Sequence, residues 1–363
     1  MRPIYLDYNA TTPLAPPVQE AMLPFLADQY GHPFADHALG RAAAQAIEDA
    51  RSRVASAIGA SAHEIYFCSG ATESCHTALA MRPRWAVTTT VDHHAVRQAP
   101  CGEDLTVVSV PASGVVSPEA VVDAAVDGET LVSVVHANSE VGLLQPVERI
   151  ASLLEGRGVL LHTDASQSFG KVKVDVNELG VDLLTLTSHK CYGPKGVGAL
   201  YVRDGAALKP PQSSGPLLRP GTPSVAAIAG FGAAAELASR SVDEAAPRLA
   251  GMIEQLVGLL RSAIGEELII WGEGQVRLPN TVAVAMPGVS GAEVLSACPE
   301  LCATPLACGG QGGVSLSPTL RAMGVDPQAG SGSVRLSAGW HSEPDDIERA
   351  ASLLIGAWER LSG

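Results

Sequence analysis

The 363-residue chain has few aromatic and few charged side chains, 4% and 17% of its residues. Basic residues are in the minority: 24 lysines and arginines stand against 38 aspartates and glutamates, for a formal net charge of −14. An acidic surface disfavours nonspecific binding to nucleic acids and to anionic membranes. We therefore expect no direct nucleic-acid partner and no membrane partner, while a basic protein partner fits this charge.

The chain also has few cysteines, seven in all, scattered and mostly inside apolar segments. An odd, scattered set does not form a disulfide framework, and it indicates a reducing, cytoplasmic location. The first residues show no apolar segment of signal-peptide length. The longest low-polarity stretch, 225–237, is too short to span a bilayer, and we expect a buried helix there.

Hydrophobic residues and glycines are abundant, at 46% of the chain and 37 glycines. This composition is typical of a compact α/β enzyme with many tight turns. Because the length exceeds one ordinary hydrophobic core, we expect two domains.

Apolar periodicity predicts strands that alternate with helices. The predicted strands span 4–6, 64–68, 85–90, 105–110, 130–137, 159–162 and 183–187, and the helices span 17–26, 38–58, 118–126 and 147–154. Further on we expect helices 225–239 and 248–264, strands 268–271, 281–286 and 333–337, and a last helix 344–361 that begins at a capping box of Ser342 and Asp345. The alternation predicts a parallel sheet that binds its ligand at the carboxyl ends of the strands.

Lys190 lies at the end of a predicted buried strand, ahead of a Gly-Pro turn. Burial disfavours the ammonium form and lowers the pKa of a lysine, which makes the amine nucleophilic enough to form a Schiff base. A surface lysine in a turn is the alternative interpretation. Asp164 follows another apolar strand, where its carboxylate could pair with the protonated ring nitrogen of pyridoxal phosphate, PLP.

The segment SGATES, residues 69–74, combines a strand end, a turn of small residues and a helix start. Free backbone N–H groups and the helix dipole favour a phosphate at such a place. A capped helix without a ligand is the alternative.

Several segments resemble one family of enzymes: YLDYNATTP, SGATES, TDASQS, TSHKCYGPKG and SVRLSAG. They are similar to motifs of the cysteine desulfurase and selenocysteine lyase family, which is class V aminotransferase-like and belongs to the fold-type I PLP enzymes. The resemblance implies an aspartate aminotransferase-like α/β fold. A large PLP-binding domain, 1–240, would contain a mainly parallel seven-stranded sheet, and a smaller α+β domain, 241–363, would carry a cysteine loop. Residues 1–15 are candidates for packing with the small domain.

The resemblance also assigns roles to residues. Those implied to bind PLP are Ala71, Thr72, His93, Asn138, Asp164, Gln167, Thr187, His189 and Lys190, together with Thr222 from the partner subunit of a homodimer. Those implied to contact substrate are Asn9, Asn138 and Arg335. Lys190, His93 and Cys308 are the implied catalytic residues.

Cys308 precedes GGQGG, and four glycines in five residues predict an exposed, mobile segment. Its thiolate would be a nucleophile that enters and leaves a cleft. The distance from Cys308 to the following Ser317-Pro318 resembles the longer loop of the selenocysteine-lyase-like branch. A metal site formed by Cys308 with Cys298 and Cys302 lacks a fourth ligand, and we expect no metal.

The resemblance implies a PLP-dependent cysteine desulfurase that converts L-cysteine to L-alanine and delivers sulfur as a Cys308 persulfide to an acceptor protein. A selenocysteine lyase or a cysteine/cystine C–S lyase is the alternative. An inactive sulfur-transfer scaffold is a third, suggested by His32, His76 and the short loop before Thr222, which depart from the family pattern. Iron–sulfur assembly, tRNA thiolation and DNA phosphorothioation all stay open as the destination of the sulfur.

Overall fold

The computed structural model describes residues 2–99, 101, 104–206, 221–310 and 313–363. Its strands are β1 (Ile4–Tyr5), β2 (Ile65–Cys68), β3 (Trp85–Thr89), β4 (Leu105–Val108), β5 (Thr130–Val135), β6 (Leu160–Asp164), β7 (Leu183–Thr187), β8 (Gly198–Val202), β9 (Ile269–Ile270), β10 (Thr281–Ala285), β11 (Leu301–Cys302), β12 (Thr304–Pro305), β13 (Ala307–Gly310), β14 (Gly313–Leu316) and β15 (Ser333–Ser337).

The helices are α1 (Pro16–Leu26), α2 (Ala38–Ala57), α3 (Ala71–Ala80), α4 (His94–Arg97), α5 (Pro118–Asp123), α6 (Val147–Leu154), α7 (Val176–Leu179), α8 (Val225–Ile264), α9 (Gly291–Ser296), α10 (Pro318–Ala322), α11 (Pro327–Gly330) and α12 (Pro344–Ser362).

The central sheet has seven strands in the order β2-β8-β7-β6-β5-β3-β4. The strands from β7 to β4 pair in parallel, and β8 runs antiparallel to both β7 and β2. All six residues of β5, TLVSVV, are buried, as expected of a central parallel strand covered on both faces. The order places the carboxyl ends of β3, β5, β6 and β7 along one edge, where the residues after each strand can meet.

A second sheet of four strands, β12-β15-β10-β9, is antiparallel and lies in the C-terminal part of the chain. β1 pairs in parallel with β11, and Ile4 and Leu6 are buried in the second core with residues of α8, α12 and this sheet. β13 and β14 form a hairpin of their own. The larger core surrounds the seven-stranded sheet.

Helix α8 corrects the prediction of two helices, 225–239 and 248–264, because one helix runs through residues 240–247. It contains Pro247, which removes one backbone N–H donor. Ala245 and Leu249, on either side of Pro247, are buried in the second core, and this packing offsets the cost of the missing hydrogen bond. The division of the chain at residue 240 stays a prediction, since α8 crosses it.

Within the part of the chain that the structure describes, one helical segment, Val225–Glu267, is long and apolar enough to cross a membrane. Its mean hydropathy over 18 residues is 1.2. The apolar stretch is therefore longer than predicted. Buried core helices meet the same criterion, and α8 packs against α1 and α2, so length and composition carry little weight here.

The start of α12 also differs from the prediction. The capping box is formed by Glu343 and Asp346, one residue further along than Ser342 and Asp345. Ser342 is buried instead, and its hydroxyl accepts a hydrogen bond from the Gly339 N–H at 3.0 Å. The chain thereby closes a tight turn between β15 and α12.

Candidate active site

A cavity of about 610 Å³ opens at the carboxyl ends of the parallel strands. It is lined by Ala10, Thr11, Ser69, Gly70, Ala71, Thr72, His93, Thr187, His189, Lys190, Lys195 and Gly196. Six of the residues predicted to bind a cofactor are thus brought together: Ala71, Thr72, His93, Thr187, His189 and Lys190. These residues are far apart in the sequence, and they lie together because they are all near the same edge of the seven-stranded sheet.

One wall of the cavity is the start of helix α3. Gly70 is its N-cap residue and has no side chain to satisfy the first-turn N–H groups of Ala71 and Thr72. The positive end of a ten-residue helix therefore faces the cavity, which favours an anion. Gly198 of β8 lies directly beneath, where an added Cβ would come within 2.8 Å of the Gly70 Cα.

Lys190 is placed by a 3₁₀ turn, Ser188–Lys190, directly after β7. Burial lowers the pKa of its amine, and the positive charge of Arg335 acts in the same direction. The carboxylate of Asp164 opposes both effects and raises the pKa. The net effect is a lowered pKa, which favours a nucleophilic amine; the predicted role of Lys190 as that nucleophile stays a prediction.

The chain after Lys190 is held in an unusual conformation at Tyr192, whose φ is +65°. This is the left-handed region that residues other than glycine rarely adopt. The Tyr192 N–H donates to the Thr12 hydroxyl at 2.8 Å, and its ring stacks on Trp340 with centroids 3.7 Å apart. These contacts hold the turn that carries Lys190, and no sequence pattern marked Tyr192.

His93 lines both this cavity and a second one, so it lies between them. Its Nδ1 accepts a hydrogen bond from the Ala95 N–H at 3.2 Å. Burial lowers the pKa of His93 to about 4, and the charge of Asp164 opposes that effect. A neutral ring with an accepting Nδ1 carries its proton on Nε2, which makes His93 a donor.

His189 is clamped by the N-terminal segment. Its Nδ1 lies 3.1 Å from the Thr11 hydroxyl, and its carbonyl accepts from the Thr12 N–H at 2.9 Å. Burial lowers its pKa to about 4, with the charges of Lys190 and Lys195 adding to the effect. His189 is therefore neutral and leaves Nε2 available.

Asp164 and Gln167 lie at and just beyond the end of β6, and both are buried. The Ser166 N–H donates to Asp164 Oδ1 at 2.9 Å, which fixes the carboxylate. Gln167 donates from Nε2 to the Asn9 carbonyl at 2.9 Å, and its Oε1 accepts from Lys171 at 2.7 Å. The predicted contact of Gln167 with a phenolic oxygen stays a prediction.

The second cavity, about 260 Å³, contains Arg335 and Asn138 among its lining residues. Arg335 bonds Asp7 Oδ1 at 2.5 Å, the Ser139 carbonyl at 3.0 Å and the Thr304 hydroxyl at 3.0 Å. Its Nε is buried and, among the described residues, has no partner. Asp7 thus forms an ion pair with the guanidinium that was predicted to hold a substrate carboxylate, and no sequence pattern indicated that pair.

The Asn138 side chain is fully hydrogen-bonded within the protein. Its Oδ1 accepts from the N–H groups of Glu140 and Val141, both at 2.9 Å. Its Nδ2 donates to the Val91 carbonyl at 2.9 Å and to the Thr319 hydroxyl at 3.0 Å. Its predicted contacts with cofactor and substrate stay predictions. To make either contact, Asn138 would have to give up one of these hydrogen bonds.

Asn9, predicted to contact substrate, is buried at the junction of the two sheets. Its Nδ2 donates to the Thr281 hydroxyl at 2.9 Å and to the Ser139 carbonyl at 3.3 Å. Its backbone N–H donates to the Ser337 hydroxyl at 3.0 Å. The N-terminal segment therefore joins the large sheet to the strand that carries Arg335.

Thr222 is exposed, and its hydroxyl lies 3.1 Å from Nε2 of His32. His32 is the residue that departs from the family pattern. The preceding short loop, including Arg219, lies outside the described residues. A role of Thr222 in a partner's site stays a prediction.

Cys308 lies on β13 and is exposed. It pairs with Ser315 of β14, and residues 311–312, between the two strands in sequence, lie outside the described residues. Of the described residues, those that line the two cavities do not include Cys308. Leu306 and Ser317, at the base of the hairpin, do line the second cavity.

The other cysteines of this segment differ in exposure. Cys298 is buried and its thiol donates to the Leu353 carbonyl at 3.2 Å, whereas Cys302 is exposed. Across the described ranges, no group of three or more His, Cys, Asp or Glu residues is arranged to hold a metal ion. No disulfide joins the cysteines that the structure describes.

The chain belongs to the aminotransferase class-V family, whose model matches residues 4–350. The predicted family and fold class are confirmed.

Similar proteins carry more particular names. Cysteine desulfurase IscS of Dictyoglomus turgidum is 36% identical, with 99% of this chain and 95% of that protein aligned. The mitochondrial cysteine desulfurase of Drosophila melanogaster is 35% identical, with 99% and 82% aligned. The solved structure of a NifS-like protein has a TM-score of 0.88 at 31% identity and covers 99% of both chains. A structure of SspA in complex with cysteine has a TM-score of 0.74 at 30% identity, covering 92% and 98%.

Proposed function

We propose that this protein is a PLP-dependent cysteine desulfurase, which converts L-cysteine to L-alanine and transfers the sulfur through Cys308 to an acceptor protein. One observation carries the proposal: the low-pKa amine of Lys190 and the uncapped N-terminus of α3 line the same cavity. An aldehyde with a phosphate group fits both features. The names of the relatives, and the cysteine bound to SspA, support this choice of substrate.

The residues present fit PLP. The N–H groups of Ala71 and Thr72 and the hydroxyl of Thr187 would hold its phosphate, Lys190 its carbonyl carbon, and Asp164 its ring nitrogen. When bound, PLP supplies an electron sink for the bond broken at the substrate's α-carbon. Asp164 is buried and fixed by the Ser166 N–H, so it can keep that ring nitrogen protonated.

The chain's own residues would then divide the remaining work. Arg335 would hold the substrate carboxylate, exchanging its bond to Asp7 for a charge-assisted pair. Lys190 would take the α-proton, and neutral His93 would supply a proton from Nε2. The Cys308 thiolate would attack the substrate sulfur. The new S–S bond forms as the C–S bond breaks, so the sulfur remains on Cys308 and the carbon product leaves as alanine.

We also propose a homodimer in the cytoplasm. Leu23, Leu26, Tyr30 and Phe34 are exposed apolar residues of one short segment, and His32 in the same segment contacts Thr222. A second copy covering this surface would bring Thr222 to the neighbouring cavity. The lack of disulfides among the described cysteines fits a reducing compartment.

The test is product analysis with L-cysteine as substrate. Wild-type protein should form alanine and sulfide in equal amounts in the presence of a thiol reductant. Cys308→Ala should lose sulfide release, whereas Cys302→Ala, at the other exposed cysteine, should keep it. Pyruvate and ammonia as products would identify a C–S lyase, and full turnover by Cys308→Ala would contradict the role of Cys308.

A further inference from the structure

A lysine that the proposed mechanism does not use, Lys171, is buried. Its Nζ donates to Gln167 Oε1 at 2.7 Å and to Asn9 Oδ1 at 2.8 Å. Among the described residues no carboxylate lies within ion-pair distance of it. Burying a cation without an anion is costly, so a lysine at this position calls for a function.

The two bonds of Lys171 decide which way two amide side chains point. The ammonium form has three N–H donors and no acceptor, so it binds the oxygen of an amide and not the NH₂ group. Gln167 must turn Oε1 toward Lys171 and present Nε2 on its other side. Asn9 must likewise turn Oδ1 to Lys171, which leaves Nδ2 for Thr281 and Ser139.

The orientation of Gln167 leaves one donor unused. Nε2 has two N–H bonds, and among the described residues it makes one hydrogen bond, to the Asn9 carbonyl at 2.9 Å. The second N–H is available to a ligand. If Lys171 were apolar, the amide could rotate and offer its oxygen there instead.

We propose that Lys171 is a positioning residue that locks the amide of Gln167, so that Gln167 donates an N–H to the phenolic oxygen of the cofactor. This inference rests on the proposed function, because it takes PLP as the ligand. Burial lowers the pKa of Lys171 well below its usual value, and the charges of Lys190 and Arg335 act in the same direction. The neutral amine keeps two N–H donors, so it can still donate to the oxygens of both Gln167 and Asn9.

The effect should appear in the absorbance of the protein reconstituted with PLP. A hydrogen-bond donor to the phenolic oxygen makes that oxygen a weaker acceptor for the proton on the Lys190 nitrogen. Loss of the donor should therefore raise the apparent pKa of that nitrogen, which is read from the visible absorbance band. We expect Lys171→Met and Gln167→Ala each to raise it by about one unit. Lys173→Met, at an exposed lysine paired with Glu178, should leave it unchanged.

The double variant separates positioning from charge. If Lys171 acts through Gln167, Lys171→Met adds nothing to Gln167→Ala, and the double variant matches the single one. Shifts that sum would show that Lys171 acts as an independent charge and would overturn the proposal, as would an unchanged pKa in Lys171→Met.

Two further outcomes are distinguished by the same experiment. If Lys171→Met does not fold, Gln167→Glu is measured in its place. Its carboxylate can accept a hydrogen bond from Lys171 but cannot donate one to the phenolic oxygen. An unshifted pKa in that variant overturns the proposal. If the wild-type protein develops no visible band with PLP, the proposed function fails. A band that forms but does not respond to these changes contradicts only the role of Lys171.

Discussion

At the scale of single residues, His93 shows how a backbone contact selects a chemical role. The Ala95 N–H binds Nδ1, and burial keeps the ring neutral, so the proton stays on Nε2 between the two cavities. The histidine beside it, His94, contacts it with ring centroids 3.9 Å apart and ring planes tilted by 43°, but is exposed. Two adjacent residues of one type thus differ in burial, although both line the second cavity.

The substitution His93→Asn tests this assignment. Asparagine can accept from the Ala95 N–H through its side-chain oxygen, so the start of α4 should be preserved. It has no equivalent of Nε2, and we expect turnover of L-cysteine to fall by about 10²–10⁴-fold. Thermal unfolding and alanine formation are the measurements. His94→Asn is the matched control and should keep nearly full activity; an equal loss in both variants would contradict the role of His93.

The sequence predicted the identity of cavity residues better than their contacts. Lys190, Thr72 and His189 follow strands or open a helix, and such local patterns place side chains at one edge of a sheet. The bond from Asn9 to Thr281 spans 272 residues, and that from Arg335 to Asp7 spans 328. Local patterns hold no information on pairs so distant, and for this reason the roles of Lys171 and Asp7 were missed.

At the scale of elements, the contact between α2 and α8 depends on a small residue. Gly232 of α8 lies so close to α2 that an added Cβ would stand 2.5 Å from the Ala50 Cα. Sequence periodicity predicted two helices, 225–239 and 248–264, where the structure has one, α8, which continues through Pro247, a residue type that normally interrupts a helix. Burial on both sides of Pro247 overrides that local preference, and burial is a property of the fold and not of the segment.

Gly232→Ala should therefore destabilise the protein. The backbone of Ala50 cannot move away as a flexible side chain could, so we expect a loss of about 1–3 kcal/mol in the free energy of unfolding. Gly251→Ala in the same helix is the control, since a Cβ there meets nothing within 4 Å. That variant should gain about 0.5–1 kcal/mol from helix propensity. Urea denaturation measures both, and a stable Gly232→Ala protein would contradict the close helix contact.

At the scale of the whole molecule, buried neutral histidines make stability depend on pH. Burial lowers the pKa of His136 and of His162 to about 4. In the unfolded chain the same groups titrate near 6.5. Their contribution is complete above about pH 6.5 and is lost as the pH falls toward 4, because the unfolded chain then binds protons that the folded protein does not. Asp92 has the opposite effect on stability, because burial raises the pKa of its carboxyl group to about 6.

We expect the free energy of unfolding to be lower at pH 5 than at pH 7, by about 2 kcal/mol for each of the two buried histidines. His162→Gln should remove part of this difference. Its amide can replace the bonds of His162 to Ser133 and Thr185 without a group that titrates. Urea denaturation at the two pH values measures the effect. Equal stability at both, or an unchanged difference in His162→Gln, would contradict it.

The central claim concerns two groups from distant parts of the fold, Lys190 and Cys308. The most direct measurement is the mass of the Cys308 peptide after the PLP-loaded protein has reacted with L-cysteine and been trapped with an alkylating agent. We predict one added sulfur atom on Cys308, none on the peptide that carries Cys302, and none at all in Lys190→Ala protein. Sulfide release without added sulfur on Cys308, or added sulfur in the Lys190→Ala protein, would contradict the account.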